Sequence, residues 1–252
     1  MKTGLVAQPL GHYRFLPGID PYSCGVVADR GHEMVHVTLQ AWKPWRDGFR
    51  IVDRMLREEG LPRQALCGME LRSRKPFSME GFIAFNRRYC AVLEDWGLFV
   101  DGANPVARTN VCPIGLKARE PVLAGFSFVR PNASLRRRTW VVAGAGELVE
   151  GTLVSQGILR RGETSADALM EKAGYVCRVM AERMRGLGGT WGQASVVDAY
   201  TIHPIHGLIE PLLFKRMPAV RRVGVTWHYT RPPVVDIEFE MDLRGVVAER
   251  VI

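Results

Sequence analysis

No apolar run in this chain approaches the ~20 residues that a helix needs to span a bilayer. The opening segment 'MKTGLVAQPLGHYRFLPG' lacks a continuous apolar stretch and a small-residue cleavage site, which predicts no secretory signal. Cysteine is sparse. Cys24, Cys67, Cys90, Cys112 and Cys177 are odd in number and far apart, with no C-x-x-C. Such a set argues against a disulfide or zinc framework and predicts reduced thiols in a cytoplasmic protein. No phosphate loop, no G-x-S-x-G and no dinucleotide fingerprint is present. In 'IHPIH', His203 and His206 are three apart, but Pro204 interrupts helical geometry and no third ligand follows in sequence. Zinc needs at least three protein ligands, so neither a metal nor any other cofactor is expected.

Basic residues are plentiful instead. The 252 residues carry 34 Lys and Arg against 26 Asp and Glu, a net charge of +8. That balance suits small anionic substrates or nucleic acid. The basic runs 'LRSRK' (71–75), 'LRRR' (135–138) and 'VRR' (220–222) are short and scattered. No aromatic residues interleave with them, as they do where single-stranded bases stack. A solvated basic surface is the plainer reading, and nucleic acid is not the expected partner. Nor is a membrane. Apolar content of 47% and charged content of 24% suit a globular chain of one large domain or two ordinary ones.

Hydrophobic periodicity places the elements. 'EMVHVTL' (33–39) alternates as a strand. 'PWRDGFRIVDRMLREEG' (44–60) spaces Phe49, Val52, Met55 and Leu56 as one face of a helix. Residues 65–73 read as a strand, and 78–97 as a helix with Ser78 at its N-cap. 'PVARTNV' (105–111) and 'PVLAGFSFV' (121–129) are two further strands. The second half predicts a strand at 138–144, a long helix at 165–188 and a strand at 194–202. A short helix at 205–216, broken near Pro211, and strands at 220–227 and 234–243 complete it. Both halves thus read strand, helix, strand, helix, strand, strand. A repeated unit of about 125 residues is the simplest account. It predicts domains at 1–130 and 131–252, divided near the polar 'RPNASLRR' (130–137); a single interleaved domain is the alternative. The expected fold class is α+β, each unit a mixed β-sheet with two helices packed on one face.

These segments also resemble a known family, in the same order in both halves. In the first half they are 'IDPYSCGVV' (19–27), 'VTLQ' (37–40), 'FNRRYCAVL' (85–93) and 'ARTN' (107–110). In the second they are 'VVAGAGELVEG' (141–151), 'VRRVGV' (220–225) and 'DIEFEMDLRGV' (236–246). Each half resembles the RidA/YjgF family of reactive-intermediate deaminases, also known as L-PSP endoribonucleases. The resemblance implies two tandem chorismate-mutase-like (RidA-like) domains and sites in clefts between neighbouring domains. Three such units close a barrel, so a chain of two units implies a homo-oligomer, a trimer of two-domain chains.

The chemistry implied is hydrolysis of an amino-acid-derived imine or enamine with release of ammonia. A carboxylated substrate needs a fixed cation, and the planar guanidinium of arginine binds a carboxylate through two parallel hydrogen bonds. Water must be positioned, and the departing amine must receive a proton. By resemblance, Arg108 is the carboxylate-binding arginine, Asn86 the helix asparagine and Tyr22 the N-terminal tyrosine. Thr38 replaces a serine. The first half has Leu123 or Ala124 where the family has a glutamate on its last strand. In the second half Glu238 matches that glutamate, and Arg222, or Arg221 beside it, matches the arginine. There the serine has become Ala143, Gly144 remains, and His206 stands near the asparagine position. These losses are complementary and suggest one composite site: Tyr22, Thr38, Asn86 and Arg108 from a first half with Glu238 from a second.

Each residue has a plainer reading. Asn86 caps or packs, and Tyr22 is a core tyrosine with a satisfied hydroxyl. Glu238 lies in 'DIEFEMD', whose period-two alternation also marks an outward acidic face. The family often has a reactive cysteine two residues after its arginine, where this chain has Asn110; Cys112 reads as a packed thiol. The expected function is therefore a hydrolytic deaminase acting on a small carboxylate-bearing imine, enamine or 2-amino-dienoate. A non-catalytic metabolite binder and an RNA-binding protein or endoribonuclease are the alternatives.

Overall fold

The fold is described from a computed structural model. It covers residues 4–149, 151, 153–215 and 218–252. Glu150 of the 'VVAGAGELVEG' segment and Arg216 at the end of the 205–216 segment lie outside the described residues.

Three short strands open the chain: β1 (Val6–Gln8), β2 (Tyr13–Leu16) and β3 (Gly25–Ala28). There follow β4 (His32–Pro44), α1 (Trp45–Glu58), β5 (Leu66–Arg72), α2 (Met79–Asp95), β6 (Ala107–Pro113) and β7 (Val122–Pro131). The rest comprises β8 (Trp140–Gly146), α3 (Ala166–Gly186), β9 (Val196–Thr201), β10 (Thr226–Arg231), β11 (Glu240–Gly245) and β12 (Ala248–Val251). All twelve strands belong to one sheet, ordered β1-β2-β3-β8-β11-β9-β10-β6-β5-β7-β4-β12. The molecule is mixed α+β.

Two stretches of that order mirror one another. β6-β5-β7-β4 and β10-β9-β11-β8 run outward from the middle with the same strand senses. β5 lies parallel to β6 and β9 to β10, and the other neighbours are antiparallel. The stretches join where Thr230 and Arg231 of β10 pair with Pro113 and Cys112 of β6. The chain ends cross over. β3 pairs with β8, so the first three strands extend the second-half sheet. β12 lies parallel to β4 of the first half. A division at residue 130 therefore does not sort the strands into separate sheets.

Each half buries a helix face. α1 turns Trp45, Phe49, Val52 and Leu56 onto the first-half sheet. Its Gly48 permits close approach, because a Cβ there would stand 2.6 Å from Leu123 Cβ. α2 starts at Ser78, whose hydroxyl accepts from Gly81 N–H at 3.1 Å. It buries Phe82, Phe85, Asn86, Tyr89 and Leu93 at i, i+3, i+4 spacing. α3 lays Val176, Cys177, Met180 and Met184 on the second-half sheet. Its buried stripe also includes Lys172 and Arg183. Lys172 pairs with Glu147 at 3.1 Å, both side chains wholly buried.

The sequence expectation fails in three places. Residues 218–222 form a 3₁₀ turn rather than a strand, and Gly224 at φ 76° closes it, so β10 begins only at Thr226. Asp236, at φ 73°, interrupts the run predicted as strand 234–243, and β11 begins at Glu240. The predicted helix 205–216 is a single turn at His206–Leu208 followed by a wide π-type segment at Ile209–Phe214. Pro211 has no N–H to continue an α-helical ladder. The second half thus has one long helix where two were expected.

Candidate active site

β6 carries the site because its inner edge is only partly paired. At one end Ser23 N–H donates to Val106 O at 3.0 Å and Ser23 bridges Ala107. At the other, Cys112 and Pro113 pair with β10. Between these attachments the sheet parts into a cleft with a cavity of about 70 Å³. Arg108 and Asn110 of β6 line it, with Tyr22, Phe82 of α2, Gly144 of β8, Arg183 of α3 and Glu240 of β11.

Arg108 is 3% exposed. Its guanidinium faces the rings of Tyr89 at 5.0 Å, Tyr22 at 5.2 Å, Phe82 at 5.5 Å and Phe85 at 5.9 Å. Aromatic faces attract the charge, but they accept hydrogen bonds poorly. Nη1 has no hydrogen-bond partner among the described residues. Burial lowers the pKa of this guanidinium from its ordinary value. A buried donor in this state needs an acceptor, and a carboxylate meets both charge and geometry.

Glu240 of β11 is buried and lines the same cleft. Burial first, and the Asp242 carboxylate next, raise its pKa well above the usual carboxylate range. Such a shift favours the neutral acid, a proton donor. Gly144 leaves room for it, since a Cβ there would lie 2.4 Å from Glu240 Oε1. Arg183 Nη1 donates to Ala143 O at 3.0 Å and to Gly144 O at 3.5 Å, which ties α3 to the same wall.

Of the residues named from sequence, Tyr22, Arg108 and Gly144 line the cleft. Asn86 lies on the buried face of α2 with Phe82, Phe85 and Tyr89. Both its amide atoms, like the Tyr89 hydroxyl, are buried without a partner among the described residues. Three expected site residues sit elsewhere. Thr38 is exposed, its backbone carbonyl accepting from Ile252 N–H beyond β12. Arg222 is exposed on the 3₁₀ turn and donates to Gly192 O at 3.0 Å and Ala194 O at 3.1 Å. Glu238 precedes β11 and is off the cleft lining, paired with His203 Nε2 at 2.8 Å and Arg231 at 3.8 Å. Glu240, Arg183 and Asn110 line the cleft without having been singled out for it. Glu240 shares the parity of Glu238, and Arg183 is a charge on an apolar helix stripe, so both left a signal. Cys112 is a packed thiol, pushed up to about 12 chiefly by burial.

The cleft thus brings together a buried arginine with an open Nη1 and a buried carboxyl whose pKa is raised, a cation and a potential proton donor. Comparison with known proteins shows the family. Residues 5–250 match the family of the 2-aminomuconate deaminase CnbZ, and the chain belongs to that family. It is 38% identical, over the full length of both chains, to the 2-amino-5-chloromuconate deaminase of Comamonas testosteroni. A chorismatase crystal structure resembles it at 12% identity and a TM-score of 0.46, over 88% of this chain and 77% of that one. A candidate endoribonuclease of Klebsiella pneumoniae resembles it at 15% identity and a TM-score of 0.26, over 43% of this chain and 93% of that one. Neither structural likeness bears on chemistry.

Proposed function

We propose that the protein is a hydrolytic deaminase of a small carboxylate-bearing enamine of the 2-amino-dienoate type, acting at the cleft between β6 and β11. The observation that carries this reading is the unsatisfied Nη1 of buried Arg108 in a cleft that buried Glu240 also lines. Arg108 holds the substrate carboxylate. Glu240, as the acid, protonates the enamine carbon to give an iminium. The resulting carboxylate then takes a proton from the attacking water as the C–O bond forms. Restored, Glu240 protonates the amine; it takes back the hydroxyl proton as the C–N bond breaks and ammonia leaves. The balance is enamine plus water to ketone plus ammonia, with the carboxyl unchanged. Asn86 and Tyr22 flank the carboxylate subsite in this scheme, and Glu240 takes the role that the sequence pattern gave to Glu238.

Family membership, the relative named for a muconate deaminase and the geometry of the cleft support this reading. Ammonia release from an enzymatically generated 2-aminomuconate tests it. Turnover by the wild type with none by Arg108→Ala is expected, whereas turnover surviving that change would sink the proposal. The tandem-unit organisation is part of the same proposal, supported by the mirrored strand orders. So is a trimer of chains, supported by the exposed apolar Trp42, Val251 and Ile252 along the β4–β12 edge. Light scattering that gave the mass of one or two chains would overturn the trimer.

A further inference from the structure

We infer that Asn110 is a specificity-determining residue of the cleft, its Nδ2 group donating to a second oxygen acceptor on the substrate whose carboxylate Arg108 holds. The inference rests on the deaminase reading and adds which residue recognises the far end of the substrate.

Asn110 is 3% exposed and lines the cleft. Its orientation is set by Ser73, just beyond β5. Ser73 N–H donates to Val111 O at 2.8 Å, which fixes that residue against β6. The Ser73 hydroxyl then donates to Asn110 Oδ1 at 2.9 Å. With the oxygen engaged, the other end of the amide is the donor Nδ2, which has no partner among the described residues. The side chain has four hydrogen-bonding positions, and the protein satisfies only the oxygen end.

Arg108 Nη1 is in the same condition. The two residues are i and i+2 on one strand, so their side chains share a face with Cα atoms roughly 6.5 Å apart. One buried charged donor and one buried neutral donor, separated in this way, match a ligand with two oxygen acceptors several bonds apart. A lone carboxylate satisfies only the first. A short unsaturated chain with a carboxylate at one end and a carboxylate or carbonyl oxygen further along satisfies both. The proton donor Glu240 then faces the carbon chain between them.

Hexa-2,4-dienedioate and hexa-2,4-dienoate are unreactive acids that differ only in the far carboxylate. Their binding to the full chain is measured by isothermal titration calorimetry. Wild type is expected to prefer the diacid by about tenfold to a hundredfold, the range for one hydrogen bond to a charged acceptor. Asn110→Leu is expected to bring that preference close to one while keeping the affinity for the monoacid. Ser73→Ala, which frees the amide to turn, is expected to reduce the preference partly, and it takes over the comparison if Asn110→Leu melts early. Wild-type preference retained in both variants overturns the assignment. So does an equal loss of both acids, which marks a merely structural role. Wild type binding neither acid, or Arg108→Ala leaving the monoacid affinity intact, instead overturns the carboxylate site itself, and this inference with it.

Discussion

At the scale of single residues, a buried charge was the most legible signal. Arg108 stands in 'NPVARTNVCP', whose other residues are apolar, small or uncharged, and a guanidinium there is costly without an anion. The structure places it among aromatic rings with an open Nη1. Its acidic counterpart was legible only in parity. 'DIEFEMD' alternates, but alternation does not say where the strand starts, and Asp236 delays the start until Glu240. Glu240→Gln keeps the shape of the protonated acid and removes its proton. It is expected to lower kcat by about 10²–10⁴-fold, the usual contribution of a positioned acid–base group. Because the folded pKa is raised, wild type holds a proton that the unfolded chain has lost above about pH 4.3. Wild-type stability therefore falls with rising pH above that point, whereas the variant does not titrate. A melting-temperature advantage of Glu240→Gln that grows from acid to neutral pH is expected, and a constant difference counts against a raised pKa.

Among the elements, α1, α2, α3, β5 and β7 were readable because periodic apolar faces and a capping serine fix them locally. β1 to β3 and β12 were not, since each is short: β3 and β12 form beside a strand from the other half, and β2 and β1 add on outside β3. β10 was misplaced because Val220, Val223 and Val225 read as a strand, whereas Gly224 imposes a turn. The wall of the cleft depends on one buried pair. Glu147 accepts from Lys172 Nζ at 3.1 Å and from the backbone N–H groups of Glu238 at 2.6 Å and Phe239 at 3.0 Å, immediately before Glu240. Lys172→Met strands that carboxylate and is expected to cost about 3–5 kcal/mol of stability, read by chemical denaturation. Adding Glu147→Gln to Lys172→Met removes the buried charge and is expected to recover part of the loss. No recovery would show that the damage is packing rather than charge.

The whole molecule is held together by a polar seam that no single segment announces. Glu70 of β5 bonds Arg244 of β11 at 2.8 Å and Arg72 at 3.0 Å; Arg244 also reaches Asp198 of β9 at 3.5 Å. Asp242 accepts from Thr109 of β6 at 2.6 Å and Tyr200 of β9 at 3.0 Å. His36 of β4 lies 3.5 Å from Glu70, but burial drives its pKa down to about 4, so it is neutral at ordinary pH. Burial alone would raise Glu70, yet Arg244 first, with His36 and Arg72, holds it below its ordinary value. Burial and then Asp198 and Glu70 push Asp242 above its ordinary value. Arg244 is thus the cation on which the acids of both halves depend. A lowered carboxylate pKa stabilises the fold above the unfolded pKa, and that stability is lost as pH falls toward the folded value. Arg244→Met removes the largest part of this for Glu70, leaving Arg72, and leaves buried acids that fold best when protonated. The variant is expected to lose about 3–5 kcal/mol at neutral pH. Its stability should rise as pH is lowered from 7 toward 5, where wild type gains less. Denaturation midpoints across that range decide the matter: parallel curves for the two proteins would mean that Arg244 is only packing the seam.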